Sequence, residues 1–289
     1  MKIVPQLLYQ HPKVRVVLVD GLSSIIHKTI DTIDTKTDHY LASHVISIVL
    51  KGKLKVKTFY EGEKFIITKN QTVFIPKGRY IISDIIPKND EFEAVFYFIE
   101  DEVINNFLTS IKPHNRKLNN KKFIINYSNR LQYYTESILQ LYTTSNQDNT
   151  ITKLKLLELL HLLYHSEHKD EFVNVLLSLK DRKKKNLFDF MQINFDKPLK
   201  IEDYAYLTGR SPSTFSRDFK RQFNSTPKKW LVDKRLEKSK KLILDNMSIA
   251  EVAQEVGFES TSHFITTFKK NFAISPKQYS IQDRISVKI

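Results

Sequence analysis

The sequence predicts a two-domain α+β protein, an N-terminal β-barrel with a helical extension followed by an all-α C-terminal domain. Three observations predict it. Residues 1 to about 100 break into short β-branched and aromatic segments divided by turn signals, the apolar spacing then becomes helical, and residues 200–280 contain one helical unit written twice. In a chain of 289 residues, each part is long enough to bury its own core.

Taken in order, residues 14–19, 44–50, 54–59, 64–67, 72–75, 80–85 and 92–99 read as strands. Turn signals separate them at Lys51-Gly52-Lys53, residues 60–63, Lys69-Asn70, Pro76-Lys77-Gly78 and residues 87–90. Such closely spaced strands argue for a barrel or jelly roll. Helical spacing covers 102–111, 128–144, 150–166 and 169–179. Leu131, Tyr134, Ile138 and Leu141 form one apolar stripe, and Leu154, Leu157, Leu160 with Leu163 or Tyr164 another. These stripes either pack on the barrel or also form a dimer seam. Residues 112–122 and 145–149 read as exposed loops, and the basic run 180–185 marks a domain boundary. The expected domains are a barrel at 1–110, a helical linker or dimerisation region at 111–180 and a third segment at 181–289. That segment opens with a helix over 186–195, with Leu187, Phe190, Met191 and Ile193 facing inward.

The duplicated unit is physically legible. Ile201, Ala205 and Gly209 recur 48 residues later as Ile249, Ala253 and Gly257. Phe215, Phe219, Phe223, Pro227 and Trp230 recur 49 residues later as Phe264, Phe268, Phe272, Pro276 and Tyr279. Each copy starts with a short amphipathic helix stopped by a glycine that can take the left-handed conformation. A second helix then begins on a capping residue, Ser211 with Pro212 in the first helical position, and Ser260 or Thr261 in the second copy. Its phenylalanines recur every four residues, so one face is apolar and the other polar and partly basic. Two short helices joined by a glycine-bearing turn make a helix-turn-helix, here at 199–223 and 248–272. Residues 227–246 between them read as one helix packing through Trp230, Leu231, Leu236 and Leu242. From Trp230 to Leu244 it spans about 22 Å at the α-helical rise, enough for a strut.

The second unit, with Ala253, Gly257, Phe258, Ser262, His263, Phe264, Phe268, Lys269, Phe272 and Pro276 in their spacing, resembles the signature of the AraC/XylS family of bacterial transcription regulators. It departs from the family pattern at Ala273 and Ser280, where glycine and arginine are usual, and at Thr266, where many members carry arginine. The N-terminal Val-Leu-Lys-Gly-Lys-Leu element and the later Val-Phe-Ile-Pro-Lys-Gly resemble the small cupin barrel of many such regulators. Cupins often hold a metal through two histidines one residue apart, a following glutamate and a later histidine. His39 and His44 lie five apart, and no glutamate follows before Glu61, so no metal, cofactor or catalytic site is expected and the two histidines read as surface or strand-end groups. The lumen is then filled by side chains or open to a small effector. His161 and His165 share one helical face without a third ligand nearby.

Net charge is +14, of which +10 falls from residue 182 onward, where 22 Lys and Arg face 12 Asp and Glu. That asymmetry gives a sequence-independent attraction to polyphosphate. Cysteine is absent, which excludes disulfides and thiolate metal sites and fits a reducing cytoplasm. No secretory leader and no apolar run of membrane-spanning length is read, so the expectation is a cytoplasmic protein without a membrane partner.

Alignment with the family directs Ser213, Ser216 and Arg217 toward base edges, with Thr214 and Lys220 positioning the backbone. Thr261, Ser262, His263 and Thr266 are the corresponding set, with Lys269 on phosphate. The resemblance implies a double-stranded promoter as partner, RNA polymerase, a small-molecule or protein effector, a homodimer and activation. Two other readings stay open, a cupin-type enzyme with a DNA-binding tether and a sequence-tolerant architectural DNA binder.

Overall fold

The computed structural model describes residues 2–31, 37–59, 62–88, 90–111, 123–143, 149–179, 184–245 and 247–286. The loops expected at 112–122 and 145–148 and the basic run from 180 to 183 lie outside the described residues, as do parts of the turns at 60–63 and 87–90. The chain divides into two compact units, 1–181 and 182–289.

In the first unit the strands are β1 (Lys2–Val4), β2 (Val14–Asp20), β3 (Ser23–Ile30), β4 (Thr37–Leu41), β5 (His44–Lys51), β6 (Lys53–Thr58), β7 (Lys64–Thr68), β8 (Gln71–Ile75), β9 (Gly78–Ile85) and β10 (Phe92–Ile99). Helix α1 (Asp101–Ile111), strand β11 (Phe123–Asn126) and helices α2 (Asn129–Leu141), α3 (Asn149–Tyr164) and α4 (Lys169–Ser178) follow. They build a five-stranded sheet in the order β1-β4-β9-β6-β7 and a six-stranded sheet in the order β11-β8-β5-β10-β3-β2.

Strand β10 explains the layering. Phe92, Ala94, Phe96 and Phe98 face the core between the sheets, while Val95, Tyr97 and Ile99 face a second core with the helices. A period of two places alternate side chains on opposite faces, so a strand apolar at every step must be covered on both. Strand β3 was not expected, because Ser23, Ser24, His27 and Lys28 interrupt its apolar pattern. It is nonetheless central, paired with β10 and β2, and Lys28 is buried against Asp84 of β9 at 2.5 Å. Strands β1 and β11 were also missed, being short, and β4 because Thr37, Asp38 and His39 leave it little apolar pattern.

Two further expectations are corrected. His44 does begin strand β5 but is not a surface group, being fully buried: Lys77 N donates to its Nδ1 at 3.1 Å, its Nε2 lies 2.9 Å from Asp101 Oδ1, and its ring stacks on Phe74. Leu141 and Leu154 are exposed, at 70% and 58%; α3 instead buries Leu156, Leu159, Leu160 and Leu163. That helix is leucine-rich all round, so periodicity alone does not fix its phase. The space between the sheets is nearly filled, leaving a cavity of about 50 Å³ bordered by Leu41, Leu54, Phe96, Phe98, Lys28 and Asp84.

The second unit comprises α5 (Leu187–Asn194), α6 (Ile201–Leu207), α7 (Pro212–Phe223), α8 (Pro227–Leu244), α9 (Ile249–Glu255), α10 (Thr261–Phe272) and α11 (Pro276–Ser286). Leu187, Phe190 and Met191 are buried, but Ile193 is 66% exposed and Asn194 takes the inward place, donating to Phe190 O at 2.8 Å. On α8 Leu231, Leu236 and Ile243 are buried and Leu242 only partly so. Trp230 is half-buried, its ring edge-on to Phe219 and Phe223 at 5.6 and 5.0 Å. No helix of the described residues is long and apolar enough to cross a membrane.

Candidate nucleic-acid interface

Local chemistry sets both helix pairs. Helix α6 ends at Gly209 and α9 at Gly257, with φ of +71° and +83°, a region that only glycine enters without cost. Helix α7 starts on Ser211, whose Oγ accepts from Thr214 N at 3.2 Å, with Pro212 in the first helical position. Helix α10 starts on Ser260, whose Oγ accepts from His263 N at 3.2 Å. Helix α9 carries a full capping box: Ser248 Oγ accepts from Glu251 N, and Glu251 Oε2 accepts from Ser248 N. Phe215 and Phe219, and Phe264 and Phe268, are fully buried, while Phe223 and Phe272 are partly covered.

The opposite faces are open. Ser213, Ser216, Arg217 and Lys220 of α7 are exposed and Thr214 is half-exposed; on α10 the same holds for Ser262, His263, Thr266 and Lys269, with Thr261 half-exposed. Arg217, Lys220 and Lys269 have no hydrogen bond or ion pair among the described residues. Arg210 contrasts with them: its Nε donates to Asp218 at 3.1 Å and its Nη1 donates to Thr208 O at 2.9 Å. The guanidinium holds the Asp218 carboxyl below its usual range. One arginine therefore braces the turn, and the other is left pointing into solvent.

Two family models match this chain, an ExsA N-terminal regulatory domain over residues 44–175 and a helix-turn-helix domain over residues 204–282. The chain belongs to the AraC family of transcription regulators. Its relatives include the thermoregulatory protein LcrF of Yersinia pestis, 24% identical over 80% of this chain and 86% of that protein. The virulence regulon transcriptional activator VirF of Yersinia enterocolitica is 29% identical over 54% and 58% of the two chains. The regulator ExsA of Pseudomonas aeruginosa is 29% identical over 43% and 45%. Among solved structures, an apo ToxT variant from Vibrio cholerae aligns over 91% of this chain and 98% of that one, at 13% identity and a TM-score of 0.45.

Within this AraC-family unit, the two faces differ in content. Ser213 is drawn toward the cap, its Oγ 3.1 Å from Ser211 Oγ, and Thr214 Oγ1 accepts from the same hydroxyl at 2.9 Å. His263 sets its ring edge-on to Phe258 at 5.5 Å, and Phe258 also packs on Phe264 at 5.3 Å. Ile265 went unnoticed in the sequence. It is 38% exposed and stands 49 residues after Ser216, the offset that aligns the two helices. That offset was the available signal. His39 and His44 do not converge, since they lie on β4 and β5 in different sheets. No group of three or more His, Cys, Asp or Glu suited to a metal occurs among the described residues.

Proposed function

We propose that this AraC-family regulator is a sequence-specific promoter-binding activator, with α7 and α10 entering the major groove on one face of the duplex about 34 Å, or one turn, apart. The observation that carries this is the pair of equivalent helices, each buried through phenylalanines and each presenting an open polar face with uncommitted cations. Arg217 is assigned to guanine, whose O6 and N7 a guanidinium grips bidentately, with Ser213 and Ser216 beside it. Thr214 and Lys220 position the backbone. Thr261, Ser262, His263 and Thr266 read the second half-site, where Ile265 adds an apolar contact suited to a thymine methyl, and Lys269 meets phosphate. Short hydroxyls reach weakly, so this half leans on water and DNA shape.

The N-terminal unit receives the signal, from a small molecule or another protein, and its helices support a homodimer; neither role involves catalysis. Contact with RNA polymerase and a cytoplasmic location complete the reading, along with domain limits of 1–110, 111–180 and 181–289. Selection of bound duplexes from a random pool by full-length protein tests it. Two enriched half-sites about one turn apart are expected. Affinity independent of sequence, in competition at fixed salt, would favour an architectural binder instead.

A further inference from the structure

Helices α7 and α10 can read one duplex together only if their mutual orientation is held. Strut α8 is shared by both, yet among the described residues the apolar core around α9 and α10 draws Leu236 and Ile243 from α8 and includes no residue of α5, α6 or α7. In that core, α8 is the link between α9 and α10 and the preceding helices. Residues 195–197, the turn between α5 and α6, supply a second link. Arg235 of α8 donates from Nε to Phe195 O at 2.8 Å and from Nη2 to Lys197 O at 2.6 Å. The buried Tyr204 hydroxyl of α6 lies 2.9 Å from Asn194 O and 3.1 Å from Lys197 O. Lys238 Nζ donates to Asp196 Oδ2 at 2.7 Å and lies 3.5 Å from Glu255 of α9.

The turn of the second unit closes on the same segment. A Cβ placed on Gly257 would sit 2.7 Å from Asp196 O and 3.0 Å from the carbonyl carbons of Asp196 and Lys197. Backbone therefore meets backbone at this point, and the glycine is required by close approach as well as by its φ of +83°. Asp196 feels its partners: burial raises its carboxyl, but the hydrogen bond from Lys238 and the charge of Lys197 outweigh that and hold it below the usual range.

We propose that residues 195–197, gripped by Arg235, Lys238, Tyr204 and the Gly257 turn, form a clamp that fixes the second recognition helix relative to the first and so sets the half-site spacing that the protein accepts. This rests on the two-helix DNA reading above. Arg235 and Lys238 are positioning residues that touch no DNA. Their removal leaves the base preference of each half intact and relaxes the distance between halves.

Two measurements on the full chain test this. The sequence has no cysteine, so Gln222→Cys and Asn271→Cys, at equivalent exposed positions of α7 and α10, accept spin labels cleanly. The distance distribution between the labels should widen about twofold in Arg235→Met/Lys238→Met, as released hinge motion requires. On the selected duplex, one inserted base pair between half-sites should weaken wild type roughly tenfold and the double variant under about threefold, with base preferences unchanged. Lys238→Met alone replaces the double variant if that one loses its cooperative melt. A folded variant keeping both the wild-type label distribution and the wild-type insertion penalty would overturn the clamp. If wild type enriched no duplex, the DNA reading would fail, while the label distances would still decide whether the clamp exists.

Discussion

Arg217→Ala separates recognition from folding within one unit. Arg217 is exposed and makes no hydrogen bond or ion pair among the described residues, so its loss should change stability by no more than about 0.5 kcal/mol. If its guanidinium grips a guanine, truncation removes about 1–3 kcal/mol of discrimination, roughly 5- to 150-fold in Kd for the preferred base. Duplexes already altered at that base pair should bind wild type and variant alike. Lys220→Ala should instead weaken every sequence and lower the salt slope by about 1. Arg210→Ala is the internal control. It removes the bond to Asp218 and the brace on the turn, so it should lower the melting temperature of the second unit. Anisotropy titrations with four duplexes differing at one base pair, at one ionic strength, read all three. The same ranking of the four duplexes by wild type and Arg217→Ala would refute the assignment.

Three further outcomes concern stability. Ala273 caps α10 with φ +64° and is exposed, so Ala273→Gly should relieve the left-handed penalty of about 1–2 kcal/mol at a lesser unfolded-state cost, raising stability by about 0.5–1 kcal/mol in thermal melts; Asn224→Gly, at the equivalent φ of +49°, should gain less because asparagine tolerates that region. Lys28→Met strands Asp84 in the barrel core and should cost about 3–5 kcal/mol in denaturant unfolding, whereas Lys28→Met/Asp84→Leu should recover most of it. Burial raises the Asp101 carboxyl, but bonds from His44 and Lys77 hold it well below the usual range. A depressed native pKa contributes stability above the ordinary carboxylate value of about 3.9 and loses it as pH falls below; melts of the first unit should fall across that range, and Asp101→Asn should flatten the dependence.

The duplicated region was legible because its signals are local. Glycines at 209 and 257, caps at 211 and 260 and phenylalanines four apart each act within one turn of helix. Strand β3 was not, since Lys28 is tolerated inside only because Asp84 arrives from a distant strand of the facing sheet. The phase of α3 was hidden for the opposite reason, an excess of leucine. At the interface, spacing revealed the polar faces but could not distinguish arginines. Arg210 and Arg217 look alike in sequence, and only the fold places Asp218 beside one and solvent around the other. The grip of Arg235 on Phe195 and Lys197 likewise joins residues about forty positions apart, beyond any local pattern.

The asymmetry between the two copies carries a consequence for the DNA. In the first, the Arg210–Asp218 pair stiffens the turn and Arg217 is free to make a bidentate contact. In the second, Phe258 takes the place of Arg210, its N donating to Ala253 O as Arg210 N does to Ala205 O, and Thr267 and Thr266 align with Asp218 and Arg217. Those residues can form neither that brace nor that grip. Ile265 and the hydroxyls beside it favour thymine methyl groups and groove shape, contacts of lower discrimination. The selected site should therefore be lopsided, with most of its sequence information in the half under α7 and a softer A·T preference under α10. Restoring the missing group provides the check. Thr266→Arg should sharpen the α10 half toward guanine without altering the α7 half, and an unchanged motif from that variant would mean α10 does not present position 266 to the bases.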